Sequence, residues 1–231
     1  MKKITYYFVS ALLLMAPLSC KKDDPAPAAL PETPEALAEH NNKSGGVYKG
    51  VFASATNSCL MKVVLQGGTK NITVTLNGTT KTLTTTSLDT WTSGTQIVGA
   101  VFSSDNWSMT LDISSDGTSF GLSMDLGGQT SFNGTILKES STLLVKVYEG
   151  TYAGDATGKW NFATQGTYLS GVYAGALGSS TFVGSVVDNA ISLSDSGSVT
   201  AVGTITNEGK NASGAWTSSS TSGTWTGSRK I

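Results

Sequence analysis

Hydrophobic and polar residues alternate along several short segments of the chain. In residues 107–113 the odd positions are Trp, Met, Leu and Ile, while the even positions are Ser, Thr and Asp. Residues 72–76 and 120–126 show the same period of two. Because successive side chains of a strand point to opposite faces, this pattern predicts β-strands with one buried and one solvated face. Such strands are typical of antiparallel sheets.

Turn signals separate these segments at intervals of about eight to twelve residues, which is the spacing of an all-β sandwich or barrel. The Asn-Gly pair at 77–78 is the clearest, since it favours a two-residue hairpin between alternating runs. The Gly-Gly pairs at 67–68 and 127–128 act in the same way. We therefore expect about eight short antiparallel strands within residues 47–137.

The second half of the chain begins like the first. Residues 47–53 (VYKGVFA) return 100 residues later as residues 147–153 (VYEGTYA). A fixed offset of this kind indicates duplication. We therefore predict an all-β protein with two tandem antiparallel units, each a barrel or sandwich of about eight short strands. The first unit is expected over residues 45–138, the boundary at 139–145 and the second unit over 146–231.

Glycine and aromatic residues recur together in the second unit, as Gly-x-Trp or Gly-x-Tyr ending at Trp160, Tyr173, Trp216 and Trp225. Glycine inside strands favours strong coiling, which a small barrel needs in order to close. This texture resembles the strands of avidin-like and lipocalin-like barrels. The resemblance implies a small up-and-down barrel, and it carries no ligand-binding residue onto a position of this chain.

The N-terminus predicts export. A basic start, an apolar run at residues 6–15 and the small residues before Cys20 have the layout of a signal peptide over residues 1–19. Leu18-Ser19-Cys20 resembles a lipobox, and the following Lys21, Lys22, Asp23 and Asp24 resemble the export signal of Bacteroidetes-type surface lipoproteins. The resemblance implies an acylated, palmitate-carrying Cys20 and an outer-membrane protein that faces the cell exterior. The alternative is an ordinary secretory signal followed by an unrelated cysteine.

Residues 20–44 are expected to form a tether, because four prolines among Ala and Glu favour an extended segment without a core. Thr33 as N-cap and Pro34 at the first helical position predict one or two helical turns. His40, the single histidine of the chain, is expected to be solvated in this tether.

Composition and residue spacing limit the kinds of catalytic, metal and nucleic-acid site that the chain can form. A net charge of −1 offers no basic surface for nucleic acid. One histidine in the tether leaves the two units without the base of a Ser-His-Asp or Cys-His site. Cys59 alternates with apolar residues, so we expect a buried, inert thiol. Residues 112–117 begin like a calcium loop, but Ser123 stands where the bidentate acid is needed, so a hairpin turn is favoured. No metal and no cofactor are expected.

Paired carboxylates are the remaining catalytic possibility, since a glycosidase needs two of them about 5–10 Å apart. The candidates for such a pair are Asp89, Asp105, Asp112, Asp125, Asp155, Asp188 and Asp195. The spacing of these residues along the chain pairs none of them. A hydrolase is therefore the third choice of function.

The tryptophans suggest binding. Trp107 is expected in the core. Trp91 lies in a polar segment, where it is expected either to pack locally in its loop or to be an exposed contact for a ligand. Trp160, Trp216 and Trp225 are expected to fill a core or to line a ligand cavity. We therefore predict a non-catalytic surface lipoprotein that binds glycan, protein or a small apolar ligand. The alternative is a structural envelope lipoprotein without a soluble ligand.

Overall fold

The computed structural model describes residues 29–231, and its regular structure is almost entirely β. Within these residues there are sixteen strands and one short 3₁₀ helix, Ala38–His40. The strands form two eight-stranded antiparallel units, so the predicted fold class is confirmed. The signal peptide, Cys20 and the predicted export signal at Lys21, Lys22, Asp23 and Asp24 lie outside the described residues.

The first unit is a meander whose last strand returns to its first. Its strands are β1 (Gly46–Ala53), β2 (Ser58–Gln66), β3 (Thr69–Leu76), β4 (Thr79–Thr84), β5 (Ile97–Ser104), β6 (Trp107–Ile113), β7 (Phe120–Leu126) and β8 (Asn133–Glu139). They form one sheet in the order β7-β6-β5-β4-β3-β2-β1-β8. The sheet curls into a barrel, and β7 and β8 are its two edges. Because these edges do not pair, the barrel stays open along a seam between β7 and β8.

The second unit repeats this meander and closes. Its strands are β9 (Val145–Gly154), β10 (Gly158–Gln165), β11 (Tyr168–Gly175), β12 (Gly178–Val187), β13 (Ala190–Asp195), β14 (Thr200–Thr206), β15 (Asn211–Thr217) and β16 (Ser222–Arg229). Strand β16 pairs with both β15 and β9, so every strand has two neighbours.

The two barrels are filled differently. The first core is mainly aliphatic and includes Trp107, which is 6% exposed, so the prediction of a core residue is confirmed. The second core is mainly aromatic. Its largest fully buried side chains are Trp160, Trp216, Trp225, Tyr148, Tyr152, Phe162 and Phe182.

The two units pack against each other through β1. All eight residues of β1 are buried, because one face covers the first core and the other meets the second unit. Val51 contributes to an apolar cluster with Val147 and Val172. Beside this cluster, Lys49 Nζ lies 2.7 Å from Glu139 Oε2, and both side chains are fully buried. The interface therefore has a hydrophobic part and a buried ion pair.

Residues 31–44, which we call the strap, cross one end of both barrels. Arg229 of the second unit donates hydrogen bonds to Glu32 and to the carbonyl of Pro31. Further along, Ser44 Oγ donates to the carbonyl of Thr95 in the first unit at 2.6 Å. The strap is thus packed onto the protein by contacts at both of its ends.

Two expectations for the strap are wrong. His40 is only 8% exposed, and its Nδ1 lies 2.8 Å from Ser93 Oγ. It is buried because the strap lies against the loop that follows β4. The short helix begins after Leu37 without a side-chain cap, so Thr33 is not its N-cap. Over residues 29–231 the structure has no helix of the length and apolar character that crossing a membrane requires.

Candidate functional site

The seam between β7 and β8 forms a groove of about 530 Å³ on the first unit. Its apolar lining consists of Phe52, Phe120, Leu122, Phe132 and Ile136. Thr181 of β12 lies at its rim, so the second unit forms one wall. The groove therefore combines apolar side chains with polar groups, a mixture that is usual in binding sites.

The groove is apolar because β7 has no neighbour on one side. Phe120, Leu122, Met124 and Leu126 all point to the interior of the barrel. Met124 and Leu126 are buried, whereas Phe120 and Leu122 are only half-buried beside the seam. The ring of Phe120 lies 5.4 Å from that of Tyr48, centroid to centroid. The core of the first unit is thus open to solvent at this end of β7.

The backbone of β7 is also free along the seam. The two-residue turn between Ser104 and Trp107 makes these two residues a hydrogen-bonded pair. Backbone hydrogen bonds alternate between the two neighbours of an antiparallel strand, so the N–H and C=O groups of Trp107 point to β5. Its partner Leu126 therefore directs its own backbone groups away from β6. By the same alternation, Phe120 and Leu122 direct their N–H and C=O groups into the seam.

Strand β8 presents a matching edge. The two-residue turn at 67–68 fixes which residues of β2 direct their backbone N–H and C=O groups to β3. Through the pairing of β2 with β1 and of β1 with β8, it also fixes which residues of β8 direct these groups away from β1. Gly134 and Ile136 therefore direct their backbone groups into the seam. The next carbonyl of this edge, that of Lys138, accepts a hydrogen bond from Gln165 Nε2 at 2.7 Å. Two free strand edges thus border the groove, and such edges are templates for a further strand.

Lys138 lies where the groove passes into a second pocket. Its Nζ donates to the backbone carbonyls of Lys43 and Asp116, and it lies 5.6 Å from the centre of the Tyr48 ring. Burial lowers the pKa of Lys138, although the charge of Asp116 opposes this shift. This second pocket of about 720 Å³ continues from the groove around Lys138 and Gln165.

Trp91 lies in the loop between β4 and β5, as expected, but it is partly buried. Its ring packs against the first core. Its Nε1 donates to the carbonyl of Thr95 at 2.9 Å. Only part of the indole is therefore open to a ligand.

Trp160, Trp216 and Trp225 lie inside the closed barrel, with exposed fractions of 0%, 0% and 1%. The ring of Trp160 stacks on those of Phe182 and Trp225, at centroid distances of 4.8 and 5.8 Å. Trp216 donates its indole N–H to the carbonyl of Ala153. These rings cover one another, so they act in the structure as core residues.

The thiol of Cys59 is buried, as expected. Burial and the charge of Glu149 raise the pKa of this thiol to about 12, so it is protonated at neutral pH. Asp116 accepts hydrogen bonds from Ser114 and Thr118, which makes the calcium-like segment a turn. Within residues 29–231, no group of three or more His, Cys, Asp or Glu is arranged to hold a metal ion.

Five of the seven candidate aspartates accept hydrogen bonds or form an ion pair within the protein. Asp105 pairs with Lys81, and backbone N–H groups donate to Asp112, Asp125, Asp155 and Asp195. These contacts are typical of residues that stabilise turns and bulges. A hydrolase that uses two of these aspartates stays a prediction.

No protein-family model, curated protein or solved structure matches this chain. The candidate site therefore rests on its geometry. The alternation pattern placed Phe120 and Leu122 in the core but did not single out the seam. The lengths of the connections in the two units were a signal that could have indicated the seam. Six residues, 127–132, connect β7 to β8, whereas four, 218–221, connect the equivalent β15 and β16.

Proposed function

We propose that this protein is a non-catalytic cell-surface lipoprotein that binds an extended segment of another protein in the seam of its first unit. The observation that supports this function is the pair of free strand edges that border an apolar groove. A segment in extended conformation supplies both the hydrogen bonds and the side chains that such a groove lacks. This mode of recognition is β-augmentation.

The energetics favour a polypeptide over a ligand with apolar surface alone. Each backbone hydrogen bond to β7 or β8 contributes about 0.5–1.5 kcal/mol net. Alternate side chains of the segment point to the groove floor, and burial of their apolar area contributes about 25 cal/mol per Å². A small apolar molecule gains only the second contribution and leaves the backbone groups of Phe120 and Leu122 without partners.

A structural role is the second candidate, and the second unit favours it. Its interior is filled by stacked aromatic rings such as Trp160 and Trp225. Within β12 to β16 only Asp195 and Arg229 are charged, so the outer face of these strands consists mainly of Ser, Thr, Ala and Val. We therefore assign ligand binding to the first unit and a supporting role to the second.

Anchoring belongs to the same proposal. Cys20 carries the lipid, and the export signal at residues 21–24 leads to display on the outer membrane. Pro31, where the strap first contacts Arg229, lies eleven positions after Cys20. A fully extended chain of this length spans about 40 Å. The end of the barrels that carries the strap therefore stays close to the membrane.

Binding is tested with the full chain carrying Cys20→Ala, so that no acyl chain is attached. The probe is a pool of synthetic heptapeptides in which Val, Ile, Leu or Phe alternates with Ser or Thr. We expect the immobilised chain to retain part of this pool. Leu122→Ser should reduce retention about tenfold, because it removes apolar surface from the groove.

Val202→Ser is the matched control, since Val202 is 60% exposed on the outer face of the second unit. Equal retention by the two variants would contradict the seam as the site. Retention of an apolar dye but of no peptide would assign the groove to small apolar ligands instead.

Anchoring is tested in cells. Cys20→Ala should release the protein from the membrane fraction, and replacement of residues 21–24 should protect it from protease added to intact cells. Resistance of the wild-type protein to that protease would show that it does not face the exterior.

A further inference from the structure

We infer that the segment bound in the seam is an internal stretch of the partner chain, which enters at one end of the first unit and leaves at the other. This inference rests on the proposed function and names the part of the partner that the seam recognises. Three cavities that join end to end along β8 carry it.

The groove continues beyond both of its ends. At the start of β8 it shares Phe132 and Asn133 with a cavity of about 550 Å³. Towards the end of β8 it shares Phe120 and Ile136 with the pocket of about 720 Å³ around Lys138. Neighbouring cavities that share lining residues form one trough. This trough follows β8 from its first residue to the turn after its last.

The trough opens to solvent at both ends. Gln129 and Thr130 border one end, Asn42 and Leu143 border the other, and all four residues are exposed. The seven residues of β8 span about 23 Å between these ends. An extended segment of about seven residues therefore fills the trough, and its chain continues into solvent in both directions.

The charges along the trough favour an internal segment over a chain terminus. The described residues that line the cavity at the start of β8 are all uncharged. At the other end, burial lowers the pKa of Lys138 and the opposite charge of Asp116 raises it, so these two charges already balance each other. A terminal ammonium or carboxylate held in the trough would lose hydration without gaining an unbalanced opposite charge. An internal segment brings only peptide groups, which the edges of β7 and β8 can pair.

The lining also predicts the order of residues in the bound segment. The ring of Phe52 lies over Gly134, where a Cβ would overlap it, and Ile136 continues the apolar floor. This floor follows about three residues of β8, which is the length covered by two alternate side chains of an extended segment. We therefore expect apolar residues at positions i and i+2. Neutral polar residues should follow on the side next to Asn133, where the lining consists mainly of hydroxyl and amide groups.

The test uses three pools of 15-residue peptides of identical composition. A heptamer in which apolar residues alternate with Ser or Thr lies at the N-terminus, in the middle or at the C-terminus, and Gly and Ser fill the other positions. Each pool is passed over the immobilised full chain carrying Cys20→Ala, and retained peptides are counted by mass spectrometry. We expect the central pool to be retained about tenfold more than either terminal pool, because a terminal heptamer brings an unpaired charge into the trough.

The other outcomes separate this inference from the proposed function. A terminal pool retained as well as the central pool, or better, would overturn the inference. Loss of that retention in Leu122→Ser would then leave seam binding intact. Retention of no pool would overturn both.

A crosslinking measurement shows directly whether the partner chain passes through the trough. Gln129→Cys or Asn42→Cys is combined with Cys20→Ala and labelled with a photo-crosslinker, while the thiol of Cys59 is buried. With one retained peptide of the central pool, we expect crosslinks from the two positions to map to opposite flanks of the heptamer. Val202→Cys, on the exposed outer face of the second unit, is the matched control and should give no crosslink. Crosslinks from only one position, or from both positions to the same flank, would overturn the inference.

Discussion

The two barrels share one strand order and differ in two strand pairs. Strands β4 and β5 join through a single residue pair, where the equivalent β12 and β13 have six, and the larger difference lies between β7 and β8. In the second unit, β15 and β16 form a ladder of seven residue pairs. In the first unit the equivalent strands, β7 and β8, do not pair. Since the remaining order of strands is the same, the difference must come from the side chains and the connection at this position. The comparison thus isolates what closes a small barrel.

Side-chain size explains the difference. The inward positions of β15 and β16 alternate between small and large residues, such as Gly214 beside Trp225 and Gly223 beside Trp216. A Cβ at Gly214 would overlap the carbonyl oxygen of Val202 in β14, so β14 and β15 approach more closely there than any other residue permits. Small barrels use this alternation to fit rings into a narrow interior.

Strand β7 lacks that alternation. Its inward residues are Phe120, Leu122, Met124 and Leu126, and none of them is small. Phe132, which precedes β8, adds another ring to the same side of the core. Large side chains therefore line the seam, where β15 and β16 have glycines. We attribute the open seam to this difference in side-chain size, and it leaves one unit with a groove and the other with a closed core.

The largest expected effect comes from emptying the sealed core. Trp160→Ala should reduce the free energy of unfolding by about 3–5 kcal/mol, because a fully buried ring with several stacked neighbours is lost. Trp91→Ala in the open unit should cost about 1–2 kcal/mol, since its ring is only partly buried and makes one hydrogen bond. Urea denaturation measures both. Equal losses would mean that Trp91 is as much a core residue as Trp160.

A smaller loss of stability should follow when a glycine in the strands that close the second barrel is replaced by a larger residue. Gly214→Ala is expected to cost about 2 kcal/mol, because its Cβ has no room beside Val202. Gly227→Ala on the neighbouring strand is the control, since its Cβ would lie 3.5 Å from the carbonyl oxygen of Glu149, an ordinary contact. It should change stability by no more than about 0.5 kcal/mol. If both substitutions are tolerated alike, side-chain size does not decide closure.

The fold could be predicted because its signals lie in short stretches of the sequence. Alternation in residues 107–113 identified β6, and the repeat of residues 47–53 at 147–153 identified β1 and β9 as the first strands of two units. Glycine next to aromatic residues indicated a coiled barrel in the second half. Each of these patterns can be recognised within the length of one or two strands, so it is visible in the sequence without knowledge of the fold.

The seam and the strap could not be predicted because they depend on distant partners. Lys49 alternates like a solvated residue, yet it is fully buried against Glu139, 90 residues away. His40 is buried for the same reason, by a contact with Ser93. Alternation tells which face of a strand is apolar, but it does not tell whether the next strand pairs. Phe120 and Leu122, which line the candidate site, therefore resembled ordinary core residues in the sequence.

The smallest expected effect concerns the strap, which joins the open barrel to the closed one. Burial of Glu35 raises its pKa, but the hydrogen bonds and charges of Lys62 and Lys49 outweigh this and hold the pKa below the ordinary value of 4.5. A carboxylate with a lowered pKa in the folded state stabilises the protein above about pH 4.5, and this contribution is lost as the pH falls through the folded-state pKa. Glu35→Gln should therefore cost about 1 kcal/mol at pH 7.

The cost of Glu35→Gln should shrink as the pH is lowered towards 3, because the wild-type carboxylate is then also neutral. Thermal unfolding followed by circular dichroism at the two pH values measures this difference. Glu32→Gln is the matched control, since Glu32 pairs with Arg229 at the other end of the strap and its side chain is 61% exposed. A cost for Glu35→Gln that stays the same at both pH values would mean that Glu35 holds the strap by its shape and hydrogen bonds. The charge of Lys49 and Lys62 would then play no part in keeping the strap on the open barrel.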